Sequence, residues 1–310
     1  MIAWLFPGQG AQTVGMGQEL FESSPAARSI FERADAALGW SVSQLCFEGP
    51  VEALQLTANT QPALVAVSIA ALAALREALP NVPEPSFVAG HSLGEYSALV
   101  AAGALELEDA VRLVHLRGRA MQEAVPAGVG TMAAVLADED VVTDLCRTAA
   151  QGEVLSPANF NAPGQIVIAG HAGAVARATE LAQAKKVKVM PLKVSAPFHC
   201  SLMGPAAERM RTALEAVSLQ PPKWPVVSNV SAEPTCSPSQ IRELLVRQVD
   251  GCVRWEHSVR WMADQGVTRA LELGSGRILT GLAKRIDRRL SVLSVGDLEA
   301  LDEAREFFSL

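Results

Sequence analysis

Gly90-His91-Ser92-Leu93-Gly94 sits between an apolar run, Ser86 to Gly90, and a helix-forming stretch, Glu95 to Ala102. A serine with glycine two residues away on each side lets the backbone turn sharply from a strand into a helix. Its Oγ then projects at the end of a sheet, beside backbone amides and a helix N-terminus. A turn of this kind joins a strand directly to a helix, the setting it has in an α/β fold. The competing reading is a glycine-rich turn with an idle serine. The strand and helix signals on either side argue against it.

The rest of the chain fits that setting. Short apolar runs at Ala3 to Phe6, Ser86 to Gly90, Val226 to Asn229 and Arg269 to Leu273 read as strands, with longer amphipathic stretches between them. Ser24-Pro25 supplies an N-cap followed by proline in the first turn, which predicts a helix ending at Gly39. Pro62 is expected to open another helix that stops before Pro80. At 310 residues the chain exceeds what one core usually supports, so a second domain attached or inserted is expected. With 49% hydrophobic and 19% charged residues it can bury a core without cross-links.

The rhythm changes between Gly130 and Ser195. Thr131 to Ala137 is strand-like, Asp138 to Ala150 helical, Val154 to Phe160 and Gln165 to Ile168 strand-like, Ala172 to Ala184 helical, and Val187 to Val194 strand-like again. That βαββαβ order is ferredoxin-like. Gly128 and Gly130 on one side, and Ser195-Ala196-Pro197 on the other, supply the joints. The expected division is a large α/β domain of residues 1–128 and 196–310 with a small inserted domain of residues 129–195.

A serine nucleophile needs a base, and five histidines are present. His91 adjoins Ser92 and is expected to point away from it, His115 lies within a helix, and His171 belongs to the insert. His257 is not excluded by spacing. His199, in Ser195-Ala196-Pro197-Phe198-His199-Cys200, lies where the chain re-enters the large domain, and a loop there can lean over the end of the sheet. It is the favoured base. No carboxylate is evidently placed to orient it, so a backbone carbonyl is the alternative partner. The loop Phe6-Pro7-Gly8-Gln9-Gly10 reads either as an ordinary turn or as a source of one oxyanion-binding amide beside that of Leu93.

On the helix from about Glu106 to Ala124, positions 110, 113, 117, 120 and 124 share one face and read Ala, Leu, Arg, Ala, Ala. Arg117 is thus a cation in an apolar stripe. Arg112 and Arg119 instead fall at spacings that pair with Glu108 and Glu123. An inward arginine requires a partner, because an unpaired buried charge is very costly. Either an internal carboxylate or a ligand carboxylate fits, and a planar guanidinium holds a carboxylate by two parallel hydrogen bonds.

Taken together, FPGQGAQ from Phe6, NTQPAL from Asn59, GHSLGEYSALVAAG from Gly90, Arg117-Gly118, NFNAPGQIVIAG from Asn159, SAPFHCSLM from Ser195, LVRQV from Leu245 and ELGSGRILTGL from Glu272 resemble the malonyl-CoA:acyl carrier protein transacylases over nearly the whole chain. The resemblance implies an α/β-hydrolase-like core carrying a ferredoxin-like insert. It also implies that Ser92 is the nucleophile, His199 the base, Gln248 the residue whose carbonyl orients that base, and Gln9 and Leu93 the oxyanion donors. Arg117 would hold the malonyl carboxylate, with Gln61 and Asn161 near the acyl and thioester groups. Leu93 and Phe198 match the malonyl-selective version, in which a phenylalanine fills the space an α-methyl needs. No catalytic position departs from the family pattern.

The implied partners are malonyl-CoA and an acyl carrier protein bearing phosphopantetheine, with no cofactor of the enzyme's own and no metal. A net charge of −7 lacks the basic footprint of a nucleic-acid binder. Local clusters, Lys185, Lys186 and Lys188 on the insert and Lys284, Arg285, Arg288 and Arg289 near the C-terminus, are the candidates for docking an acidic carrier. Met1 to Phe6 lacks a basic leader, and the apolar run Ala63 to Leu75 falls short of a membrane span. Five scattered cysteines without C-x-x-C spacing suit a reducing compartment, so a cytoplasmic protein is expected; a monomer is expected as a separate matter. Alternatives with the same chemistry are a discrete acyltransferase of a polyketide synthase or malonate decarboxylase system. A serine hydrolase would share the elbow, but a neutral ester would leave Arg117 without a partner.

Overall fold

The computed structural model describes residues 1–309. In chain order the strands are β1 Ile2–Phe6, β2 Phe87–Gly90, β3 Gly130–Leu136, β4 Leu155–Ala162, β5 Gln165–His171, β6 Lys188–Pro191, β7 Val226–Val227, β8 Pro234–Thr235, β9 Arg269–Leu273 and β10 Ser291–Val295. They form two sheets. The larger runs β10-β9-β1-β2-β7-β8, parallel throughout except for the β7–β8 pair. All five residues of β1 are buried, as expected for a central parallel strand covered on both faces.

The smaller sheet, order β4-β5-β3-β6, is antiparallel, and together with the helices Glu139–Ala150 and Ala172–Ala184 it gives the ferredoxin-like arrangement. One face, through Ala133, Val135, Ile166 and Ile168, packs on those two helices. The other, through Met132, Ala134, Val167 and Ala169, joins the main core. The strand β4 also reaches across to the large sheet's side: Phe160 N–H donates to Val253 O (2.9 Å) and Val253 N–H to Ala158 O (2.8 Å). The small sheet therefore forms one wall over the carboxyl end of β2.

Local signals explain most boundaries. The Ser24 side chain accepts from the Ala27 amide, and Gly39 closes the helix Pro25–Leu38 in a left-handed conformation. The helix expected to begin at Pro62 instead spans Thr57–Ala78, with Pro62 inside it. Proline cannot donate to the carbonyl of Ala58, and that carbonyl accepts from His115 Nδ1 at 2.9 Å, so the break in the helical ladder is satisfied from outside. By length and composition this helix is apolar enough to cross a membrane, but 83% of its most apolar window is buried within the protein. It is a core helix, hydrophobic on nearly every side.

Three further expectations are adjusted. The strand at Val226 ends at Val227, because Ser228 and Asn229 leave the sheet and Asn229 turns toward β2. The last strand of the insert stops at Pro191, and Leu192 and Val194 turn into the cleft. Glu108 pairs with Arg33 at 2.7 Å rather than with Arg112, which contacts Asp109 at 3.5 Å.

Candidate active site

Close backbone packing makes the elbow possible. A Cβ on Gly90 would lie 1.9 Å from the Gly94 backbone, and one on Gly94 would lie 2.2 Å from Phe6 O. Only glycine at both positions lets the helix Gly94–Ala101 begin directly against β1 and β2. Between them Ser92 adopts φ 52°, a left-handed conformation that residues with a Cβ avoid. Its peptide is clamped at both ends: the Ser92 amide donates to Asn229 Oδ1 (2.6 Å), and Gln248 Nε2 donates to Ser92 O (2.9 Å).

Ser92 Oγ lies 2.8 Å from His199 Nε2. On the other side of the ring, Nδ1 faces the carbonyl oxygens of Gln248 (2.9 Å) and Gly251 (3.2 Å). Carbonyls only accept, so the proton sits on Nδ1, leaving Nε2 unprotonated toward the serine hydroxyl. Burial, reinforced by the nearby Arg117 cation and opposed by the Gln248 carbonyl, lowers the His199 pKa to about 3. The imidazole is therefore neutral and ready to accept a proton at physiological pH. The amides of Gln9 and Leu93 have no hydrogen-bond acceptor among the described residues, and both residues line the same cavity as Ser92.

Arg117 is 1% exposed. Its helix approaches the helix Thr57–Ala78 closely because Gly118 packs on the Thr57–Ala58 backbone, where a Cβ would meet Thr57 O at 2.5 Å. The guanidinium donates to Gln61 Oε1 (2.9 Å), Gln248 Oε1 (2.9 Å) and Ser92 Oγ (3.2 Å). None of these partners is a carboxylate. Its Nε has no partner among the described residues. The nearest acid in this network is Glu95, which reaches the arginine only through the Gln248 amide. Burial pushes the Glu95 carboxyl up to about 7, against hydrogen bonds from the Asn229 amide and Gln248 and the pull of Arg117.

The cavity at this point holds about 180 Å3 and is walled by both sheets, with Met132, Asn159, Asn161 and Val167 from the insert facing Gln9, Ser92 and Phe198. A smaller hollow of about 120 Å3 shares Gln9, His91 and Asn161 with it and extends toward Gln165 and Ile278. Residues 3–280 match the family described as acyl transferase domain. The malonyl CoA-acyl carrier protein transacylase of Bacillus subtilis (strain 168) is 48% identical over 308 residues, covering 98% of this chain and 96% of its own. The chain belongs to the malonyl-CoA:acyl carrier protein transacylase family. Among solved structures, the acyl-carrier-protein S-malonyltransferase from Bartonella henselae has a TM-score of 0.96 at 46% identity, covering 100% of this chain and 99% of that one. A type II PKS acyl-carrier protein in complex with its malonyl-transacylase gives 0.95 at 45%, with 99% of each covered.

In this transacylase the residues singled out from sequence converge: Gln9, Gln61, Ser92, Leu93, Arg117, Asn161, Phe198 and His199 line the one cavity, and Gln248 lies directly behind it. The other histidines are accounted for elsewhere. His115 bonds Ala58 O, His171 Nδ1 accepts from the Val154 amide at 3.0 Å, and His257 packs edge-on against Phe160. His91 does not reach Ser92 Oγ, but neither does it leave the site: its Nε2 lies 2.8 Å from Asn161 Oδ1 and ties the elbow to the insert. Sequence reasoning missed Asn229, Glu95, Asn159 and the side-chain role of Gln248. Asn159 lies two residues before Asn161 and on the same strand, and Glu95 is the lone acid in the apolar run after the elbow; either spacing or composition could have marked them.

Proposed function

We propose that this transacylase moves the malonyl group of malonyl-CoA onto the phosphopantetheine thiol of an acyl carrier protein through an ester on Ser92. The observation that carries this reading is Arg117: a buried cation beside Ser92 whose partners are all neutral, two side-chain amide oxygens and the Ser92 hydroxyl, and whose Nε has no partner among the described residues. A charge so placed favours an acyl group that brings its own carboxylate.

In the first half-reaction His199 takes the Ser92 proton on Nε2 as Oγ attacks the thioester carbonyl, and the Gln248 carbonyl steadies the resulting imidazolium through Nδ1. The amides of Gln9 and Leu93 receive the oxyanion. Collapse expels the coenzyme A thiolate, which recovers the proton from His199. The carrier thiol then follows the same route in reverse. Thiolates leave readily, so a histidine oriented by a carbonyl is enough. Gln61 holds Arg117 in place, Asn161 orients the thioester side through His91, and Phe198 narrows the space where an α-methyl would lie. The smaller hollow toward Gln165 gives the pantetheine arm a path. These steps draw on side chains and backbone amides, with no cofactor assigned.

The domain division 1–128 with 196–310, and 129–195, belongs to the same reading: Pro197 packs against Gly130, where a Cβ would meet Pro197 Cγ at 2.3 Å, so the two joints meet. A cytoplasmic setting rests on the free cysteines. Supply of extender units for fatty acid synthesis follows from the family. Incubation with radiolabelled malonyl-CoA followed by candidate carrier proteins tests the proposal, since it reads both the covalent intermediate and its acceptor. Failure of label to reach Ser92 would overturn it.

A further inference from the structure

Two carboxylates are buried among the described residues of the large domain, Glu272 and Glu95, and they differ in what they hold. Glu272 accepts from the Leu279 and Thr280 amides, from Thr280 Oγ1 and from Ser294 Oγ, so it caps the helix Ile278–Ile286 that follows it. Glu95 caps nothing. Its Oε2 accepts from Gln248 Nε2 (2.8 Å) and from the Asn229 amide (3.0 Å), residues that lie far along the chain.

Those two residues are the ones that clamp Ser92. Asn229 Oδ1 accepts from the Ser92 amide while its Nδ2 donates to Gly90 O at 2.7 Å. Gln248 Nε2 donates to Ser92 O, which leaves its Oε1 toward Arg117. A reversed Gln248 amide would set oxygen against the Glu95 oxygen and NH2 against a cation, so Glu95 allows a single orientation. We propose that Glu95 is the positioning residue of this site, the acceptor that holds Gln248 and Asn229 in place and through them fixes both the Ser92 peptide and the Arg117 guanidinium.

The role asks for an acceptor oxygen rather than a charge, because a protonated carboxyl still presents one oxygen to both donors. It rests on the malonyl-transfer reading, in which Arg117 grips the substrate carboxylate. It predicts two separable effects. Loosening the elbow slows acylation by any acyl-CoA, whereas loosening Gln248 Oε1 releases Arg117 and penalises malonyl alone.

Two variants separate acceptor from charge. Glu95→Gln keeps an oxygen at the right reach and removes the charge; Glu95→Asp keeps the charge and withdraws the oxygen by one methylene. Rapid-quench acylation rates with malonyl-CoA and acetyl-CoA, on protein whose melting curve shows a cooperative fold, are the measurement. Glu95→Asp should lower malonyl acylation roughly tenfold and the malonyl-to-acetyl ratio at least about threefold. Glu95→Gln should stay within about threefold of wild type on both substrates. An unchanged ratio in Glu95→Asp, or a collapsed ratio in folded Glu95→Gln, overturns the assignment. The wild-type control keeps the two proposals apart: if wild-type Ser92 takes no malonyl label, it is the malonyl reading that fails.

Discussion

The protein offers cations in two regions under opposite conditions. Arg117 is buried and bonded to neutral oxygens; the basic cluster on and after the helix Ile278–Ile286 is solvated, and part of it is already neutralised by acids. Coulomb interactions weaken with effective dielectric, so an anion meeting Arg117 gains far more per contact than one meeting the rim. The difference suggests a division of labour. In the proposed function the buried cation would select the acyl group, and the rim, screened by salt, would affect how a carrier approaches.

The largest effect should come from removing the proposed nucleophile beside the buried cation. Ser92→Ala should abolish the malonyl ester that intact-mass measurement reads after incubation with malonyl-CoA alone. Retained covalent label on the alanine variant would put the acyl group elsewhere and dissolve the comparison. Next comes Arg117→Ala. Losing a charged, hydrogen-bonded pair in this environment costs at least about 1.5–3 kcal/mol. Malonyl transfer should then fall roughly tenfold to more than a hundredfold. Acetyl-CoA has no carboxylate to lose, so its transfer should hold steady or rise. A parallel decline of both substrates in folded protein would make Arg117 structural.

How much of this was legible in advance differs between the same two regions. The elbow could be read because Gly90 and Gly94 leave a local pattern, and the inward face of Arg117 because helical spacing is local too. The insert's strand and helix order was equally plain. The side-chain roles of Gln248, Asn229 and Glu95 were not, since these residues meet across 134 and 153 positions of sequence and no spacing rule records such a meeting. Pro62 misled for the complementary reason: its helix continues because His115, on another helix, takes over the carbonyl that proline cannot serve. On the rim the sequence showed the charges but not their neutralisers, such as Asp264 for Arg289 and Asp144 for Lys185.

A smaller effect is expected in pH. An ordinary histidine near 6.5 would lose its basic form as pH falls through 6. In His199 burial and Arg117 lower the pKa, and the base is neutral above its pKa, so the active form persists well into acid. Malonyl acylation should stay nearly level from about pH 8 down to about 5. Glu95, pushed up to about 7, titrates in the same window, but its acceptor oxygen survives protonation. A fall centred near 6.5 that persists in Glu95→Gln would show that His199 keeps its ordinary basicity.

The smallest effects belong to the rim, where the structure sorts the candidates. Arg289 is bound to Asp287 and Asp264 (both 2.6 Å), and Lys185 to Asp144 (3.1 Å), so their charges are largely answered. Lys284, Arg285 and Arg288 instead surround a surface hollow with Leu290. Arg285 also bonds Gln165 and Pro163 O on the insert, which places this cluster beside the hollow that shares Gln9, His91 and Asn161 with the Ser92 cavity. An acidic carrier docked here would have its thiol arm close to the cleft. Reversing Lys284 and Arg288 to glutamate should raise the carrier KM about threefold to tenfold, given up to about 1 kcal/mol for each exposed pair. The effect should shrink as salt rises, because the Debye length falls to about 8 Å at physiological ionic strength. The malonyl-CoA half-reaction, which reads the buried cation, should be unaffected. If both half-reactions weaken equally, or the carrier KM ignores salt, the rim has no docking role and the contrast with Arg117 reduces to burial alone.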